Sequence, residues 1–185
     1  PDAPLQDIAR IKQTPGLKTE ETAQVRSIFL GLDMGAAELK YSDVKGKNPF
    51  ADKRVRQAMY QAIDIDAIKA KVMRNFAAPA GLITSPGVHG HTKDLDKRLK
   101  YDVAAAKKLM ADAGYPDGFA VTLDCPNDRY NNDEQICQAV VAMLDPAVET
   151  LAPADGGQVA GRLWVRVVPG PGREVRVLAD GTRLE

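Results

Sequence analysis

The chain has 185 residues, 44% of them hydrophobic and 27% charged, the balance of an ordinary globular protein long enough for one good core. Twenty-five basic residues offset twenty-five acidic ones, so no global field favours nucleic acid or an anionic membrane. The longest strictly apolar stretch of the C-terminal half, Ala139 to Leu144, falls far short of the ~20 residues a membrane-spanning helix needs.

No basic, apolar, small-residue leader precedes Pro1, so the expectation is a mature or excised segment read without any export signal. Residues 6 to 13, QDIARIKQ, predict a short helix stopped by Pro15-Gly16. Ser27 to Leu32, SIFLGL, is apolar and β-prone enough for a buried strand. Lys40 to Lys53 is polar, carries Gly46 and Pro49, and reads as a loop. From Asp52 the period changes. Val55, Met59 and Ile63 recur every four residues as the buried stripe of a helix, with Lys53, Arg54 and Arg56 on a solvated face. Asp64 then caps a second helix, IDAIKAKVM, with Ile65, Ile68 and Val72 on one side.

Ala77 to His91, punctuated by prolines and glycines, predicts an irregular loop. Asp102 reads as the N-cap of VAAAKKLMADA, which Gly114 ends in a left-handed cap before Pro116. Ala120 to Cys125 alternates like a strand. Asn131 or Asn132 then caps a helix from about Asp133 to Leu144, with Ile136, Val140 and Met143 on one face. Helix and strand alternate, so the fold class is α/β or α+β. After Pro146 lysine disappears and the basic residues are Arg162, Arg166, Arg173, Arg176 and Arg183. Alternation around Trp164, a Pro169-Gly-Pro-Gly turn and Val175/Val177 predict a C-terminal β-hairpin, with Asp180-Gly181 offering another turn.

Both cysteines, Cys125 and Cys137, lie in CPNDRYNNDEQIC. They fit one disulfide or two free thiols. A connection that doubles back brings their Cα atoms within disulfide range, and closing so short a loop stabilises by roughly 3 kcal/mol. The redox reading wants Cys-x-x-Cys, and zinc wants about four ligands, so a structural role is preferred over both. His89 and His91 sit two apart in a glycine-rich loop with no adjacent Cys or carboxylate pair, and read as loop residues rather than metal ligands. Asp128, Asp133 and Glu134 lack the spacing of a calcium loop and fit the charged start of a helix. Arg129, just before that helix, offers a guanidinium fork that grips a carboxylate at two points, or a plain surface arginine. With no nucleophile beside a base, no paired acid and base, and no metal or cofactor set, the residues favour binding over catalysis.

Two stretches, NPFADKRVRQAMYQAID (Asn48 to Asp64) and YDVAAAKKLMADAGYPDGF (Tyr101 to Phe119), resemble the extracellular solute-binding proteins, family 5, of peptide and nickel ABC importers. The order of motifs is similar from about Pro4 to Leu144. The resemblance implies a partial lobe of a two-lobed, type II-like periplasmic-binding-protein clamp, closing on an extended peptide or other small solute by a hinge near SIFLGL. It further implies delivery to a membrane permease, a periplasmic location, no enzymatic activity and no cofactor or metal. By the same resemblance, residues 1–26 are a remnant of the first lobe and 27–145 part of the second. Residues 146–185 match nothing in the family. The Cys125–Cys137 pair looks like the disulfide of one subgroup, and Arg129, Tyr130 and Asn131 fall where related dipeptide binders hold the ligand's carboxylate. Two rival readings are a small thiol-dependent hydrolase using Cys137 with His89 or His91, and an interaction domain that pairs through the Trp164 hairpin.

Overall fold

A computed structural model describes residues 3–22, 24–126, 129–149, 165–167 and 175–177. The chain divides into two compact units, one of Pro1–Leu30 with Ile65–Leu99, the other of Gly31–Asp64 with Lys100–Glu185.

The second unit is organised by an antiparallel helix pair. Asp52 caps α2, Lys53–Ala62, by accepting the Arg54 N–H at 2.8 Å. Its buried stripe is Val55, Ala58 and Ala62, with Met59 packed beside it. Asp102 caps α4, Val103–Asp112, by accepting the Ala105 N–H at 2.9 Å. The two helices are tied at both ends. The Asp102 N–H donates to the Gln61 carbonyl at 2.9 Å, and the Arg54 guanidinium donates to the Asp112 carbonyl. Arg54 is therefore no idle member of a solvated face: it satisfies a helix-end carbonyl that the helix itself leaves open. Arg56 likewise donates to the carbonyls of Phe50 and Ala51, at 2.7 and 3.0 Å.

Gly114 ends α4 as expected, at φ 88°. Its N–H donates to the Ala111 carbonyl and that of Tyr115 to the Met110 carbonyl, both at 2.9 Å, closing the last turn. The reversal delivers Tyr115 and Phe119 into a core with Leu39, Phe50 and Val55. Tyr115 and Phe50 each meet the Phe119 ring edge-on, with centroids 5.1 and 6.0 Å away.

The segment read as a polar loop contributes more than a connection. Phe50 is buried in the core and Val44 packs on it. The Asn48 side-chain amide donates to the Asp33 and Ala36 carbonyls at 2.9 and 2.8 Å, while its oxygen accepts the Phe50 N–H at 2.9 Å. That last bond starts a single 3-10 turn, Pro49–Ala51. Ser42 pairs with Val121 as an isolated antiparallel bridge. Ala120 to Cys125 is thus not the strand its alternation predicts. Among the described residues the segment makes isolated bridges rather than a ladder, and strand alternation is realised only where a second segment runs alongside over several residues.

The same limit applies to Ser27–Leu32. The segment is extended, yet no ladder forms along it among the described residues, and Ile28 and Phe29 are 48% and 64% exposed rather than buried. It also crosses from one compact unit to the other at Leu30 and Gly31.

In the first unit, α1 spans Ile8–Gln13 and ends before Gly16, which takes φ 81°. The second predicted helix is shorter and wider than its pattern suggests: α3, Ile65–Ala67, passes into a π-type stretch at Ile68–Val72. Left-handed backbone at Arg74 and Asn75 stops it, and Ile68 is its buried residue. The loop that follows is organised by Asp96. One carboxylate oxygen accepts the N–H groups of Gly81 and Leu82, and the other pairs with His91 Nε2 at 3.1 Å.

The last long helix, α5, runs Asp133–Glu149, past the expected end at Leu144, and packs against α2 and α4. Val165–Val167 (β1) pairs antiparallel with Val175–Val177 (β2), Arg166 opposite Arg176. The Pro169-Gly-Pro-Gly and Asp180-Gly181 turns lie outside the described residues, as does Trp164. Among the described residues the predicted alternation of helix and strand becomes helices joined by extended segments, with one antiparallel pair.

Candidate functional site

The CPNDRYNNDEQIC stretch folds back on itself. Cys125, 3% exposed, is joined to Cys137 on the first turns of α5, with Cα atoms 6.4 Å apart. No cysteine is free, so the thiol-hydrolase reading fails: a sulfur committed to a disulfide supplies no thiolate nucleophile. His91 has another task, paired with Asp96 and only 12% exposed, which also corrects its reading as a plain surface-loop residue. Among the described residues no group of three or more His, Cys, Asp or Glu side chains is placed to hold a metal.

Inside the closed loop the organising group is Asp133. Its side chain is buried, and Oδ2 accepts the backbone N–H groups of Arg129 at 2.9 Å and Tyr130 at 3.1 Å. Oδ1 accepts the N–H of Glu134 at 2.8 Å. Asn132 takes φ 59°, a left-handed conformation that asparagine tolerates better than most residues, and its carbonyl accepts the Ile136 N–H at 2.9 Å. Asn132, one of the two residues expected to cap the helix, stands just before its first residue, and Asp133 at the first helical position adds a carboxylate favoured by the helix dipole and by three amide donors.

This scaffold presents Arg129 to solvent. Its guanidinium lies 5.5 Å from the centroid of the Tyr130 ring, a cation–π contact that limits where the fork points. Among the described residues no carboxylate forms an ion pair with it. Tyr130 and Asn131 are partly buried beside it. The three predicted site residues are thus contiguous on one braced turn. An exposed guanidinium on a braced backbone suits two-point recognition of a carboxylate. Asp133, which positions that backbone, was legible in the sequence only as a helix-start charge.

The chain superposes on the periplasmic binding protein DppA of Helicobacter pylori, solved with the peptide STSA, with a TM-score of 0.61 over 91% of this chain and 27% of that one. At 19% identity the likeness is one of fold. Residues 1–147 match the bacterial extracellular solute-binding proteins, family 5 Middle, and the chain belongs to that family. It is a family named for binding solutes rather than transforming them. The dipeptide-binding protein of Escherichia coli K12 is 31% identical over 117 residues, which are 63% of this chain and 20% of that protein. The glutathione-binding protein GsiB of Salmonella typhimurium is 34% identical over 77 residues, 42% of this chain and 15% of that protein. The matched stretch therefore spans a fifth or less of the length of these two relatives. Among the described residues no helix is long and apolar enough to cross a membrane.

Proposed function

We propose that the chain is part of the solute-binding component of an ABC importer, taking up a peptide or a similar small solute in the periplasm and handing it to a membrane permease. Residues 1–26 would belong to the first lobe of the whole protein and 27–145 to the second, with 146–185 a tail of separate character. Arg129 grips the carboxylate end of the solute in two-point fashion, and Tyr130 and Asn131 flank it. The observation that carries this reading is the exposed Arg129 guanidinium on a turn fixed by Asp133 and closed by the disulfide. The relatives named for dipeptide and glutathione support a solute of this class, since both ligands end in free carboxylates.

A half-clamp binds weakly, because only one wall contacts the solute. The test is therefore an NMR titration of the 185-residue chain with dialanine and with dialanine amide. The Arg129 side-chain Nε–H resonance should move saturably at millimolar dialanine and stay put with the amide. Arg129→Ala should remove the discrimination. Equal responses to the two peptides, or none, would sink the carboxylate grip. Tight binding of dialanine by this chain alone would overturn the half-clamp.

A further inference from the structure

We infer that Asp133 is a positioning residue of this site, acting on the solute only through the backbone it holds. The inference rests on the reading of Arg129 as the carboxylate grip. Asp133 is 5% exposed, too deeply placed to meet a solute itself. A buried carboxylate must find donors, and this one finds them in the two residues that carry the grip: Oδ2 takes the N–H of Arg129 at 2.9 Å and that of Tyr130 at 3.1 Å.

The two consecutive N–H groups belong to the peptide units on either side of the Arg129 Cα, so one oxygen that accepts both fixes the backbone there. That sets the direction in which the Arg129 side chain leaves the backbone. The guanidinium lies 5.5 Å from the centroid of the Tyr130 ring. The other oxygen is occupied by the Glu134 N–H at 2.8 Å, so the carboxylate cannot rotate without releasing a donor. Asp133 is thereby anchored to α5 and the turn is anchored to Asp133. The disulfide closes the loop, but its cysteines lie four residues before Arg129 and four after Asp133 and leave the backbone at Arg129 undetermined.

Two readouts test this. The first needs no solute: amide hydrogen exchange at Arg129 and Tyr130 should be slow in the parent chain and fast in Asp133→Ala. Unchanged exchange overturns the inference. The second is a double-mutant cycle on dialanine affinity by NMR titration. Asp133→Ala should weaken binding by about tenfold, the effect of leaving donors of this kind unpaired. In an Arg129→Ala background the same change should have no further effect. Asp133→Asn keeps an oxygen for the Arg129 and Tyr130 N–H groups and loses only the acceptor of the Glu134 N–H, so exchange should stay slow at Arg129 and Tyr130 and quicken at Glu134; fast exchange at Arg129 and Tyr130 in this variant would overturn the inference where the alanine variant fails to fold. A loss that persists undiminished in the Arg129→Ala background means Asp133 is merely structural, and overturns the inference. If Arg129→Ala binds dialanine as the parent does, the carboxylate grip falls, and the exchange result alone decides whether Asp133 braces the turn.

Discussion

Two loops of this protein are each organised around one aspartate, and they are secured by different chemistry. In the 81–96 loop, Asp96 collects the N–H groups of Gly81 and Leu82 and the His91 ring. In the 125–137 loop, Asp133 collects three backbone N–H groups, and a disulfide closes the span. The first is held by close approach and charge, with a glycine where the chain passes Lys97. The second is held covalently and by burial, and it carries the candidate site.

The largest separation of the two loops should come from cutting the covalent tie. Replacing Cys125 and Cys137 together with serine opens a loop of sequence separation 12. The expected cost is about 3 kcal/mol in chemical denaturation. Exchange at Arg129 and Tyr130 should accelerate while Gly81 and Leu82 keep their protection. A stability loss with protection at Arg129 intact would mean that Asp133 alone suffices.

The converse change is Gly81→Ala. A Cβ there would lie 2.8 Å from the backbone N, C and O of Lys97, atoms that cannot step aside as a side chain would. Relieving that overlap should cost about 2 kcal/mol. The loss should appear as faster exchange at Leu82, with Arg129 and Tyr130 unaffected. A variant as stable as the parent would show that the 81–96 loop yields freely and that Asp96 does not hold it in one conformation.

These contrasts also show which parts of the molecule could be read from the sequence. Asp102 and Gly114 bracket their helix as expected because capping is decided within one turn of chain. The α2 stripe was visible for the same local reason, although its deepest positions are Val55, Ala58 and Ala62 rather than a strict repeat of four. Ser27–Leu32 and Ala120–Cys125 have the composition of strands but form no ladder among the described residues, and pairing is a non-local fact that β-propensity does not contain. Asn48, with three hydrogen bonds into a loop read as featureless, is hidden for a like reason, since its partners lie up to fifteen residues away. Of the site, Arg129 and the cysteines stood out by type. Asp133 did not, because a buried aspartate and a solvated helix-start aspartate have the same letter.

The smallest predicted effect concerns pH. The Gly81 N–H first, and then the His91 ring, hold the Asp96 carboxyl below the ordinary aspartate value of 3.8. A carboxylate whose folded value is depressed binds protons more readily in the unfolded chain. Its contribution is therefore complete above 3.8 and lost as pH falls through the lower folded value. Acid should then free the Gly81 and Leu82 amides while the disulfide-closed loop keeps its covalent tie. Global melting would not isolate this, because Asp52 and Glu38 are held low as well, by Arg54 and by the Gly46 N–H. The measurement that does is the 13C shift of the Asp96 carboxyl, followed together with the Gly81 amide proton from neutral pH into strong acid. Both should titrate with one midpoint below 3.8. In Asp96→Asn the Gly81 response should vanish. A midpoint at or above the ordinary value would mean that Asp96 gains nothing from its partners, and the 81–96 loop would then owe its form to the glycine alone.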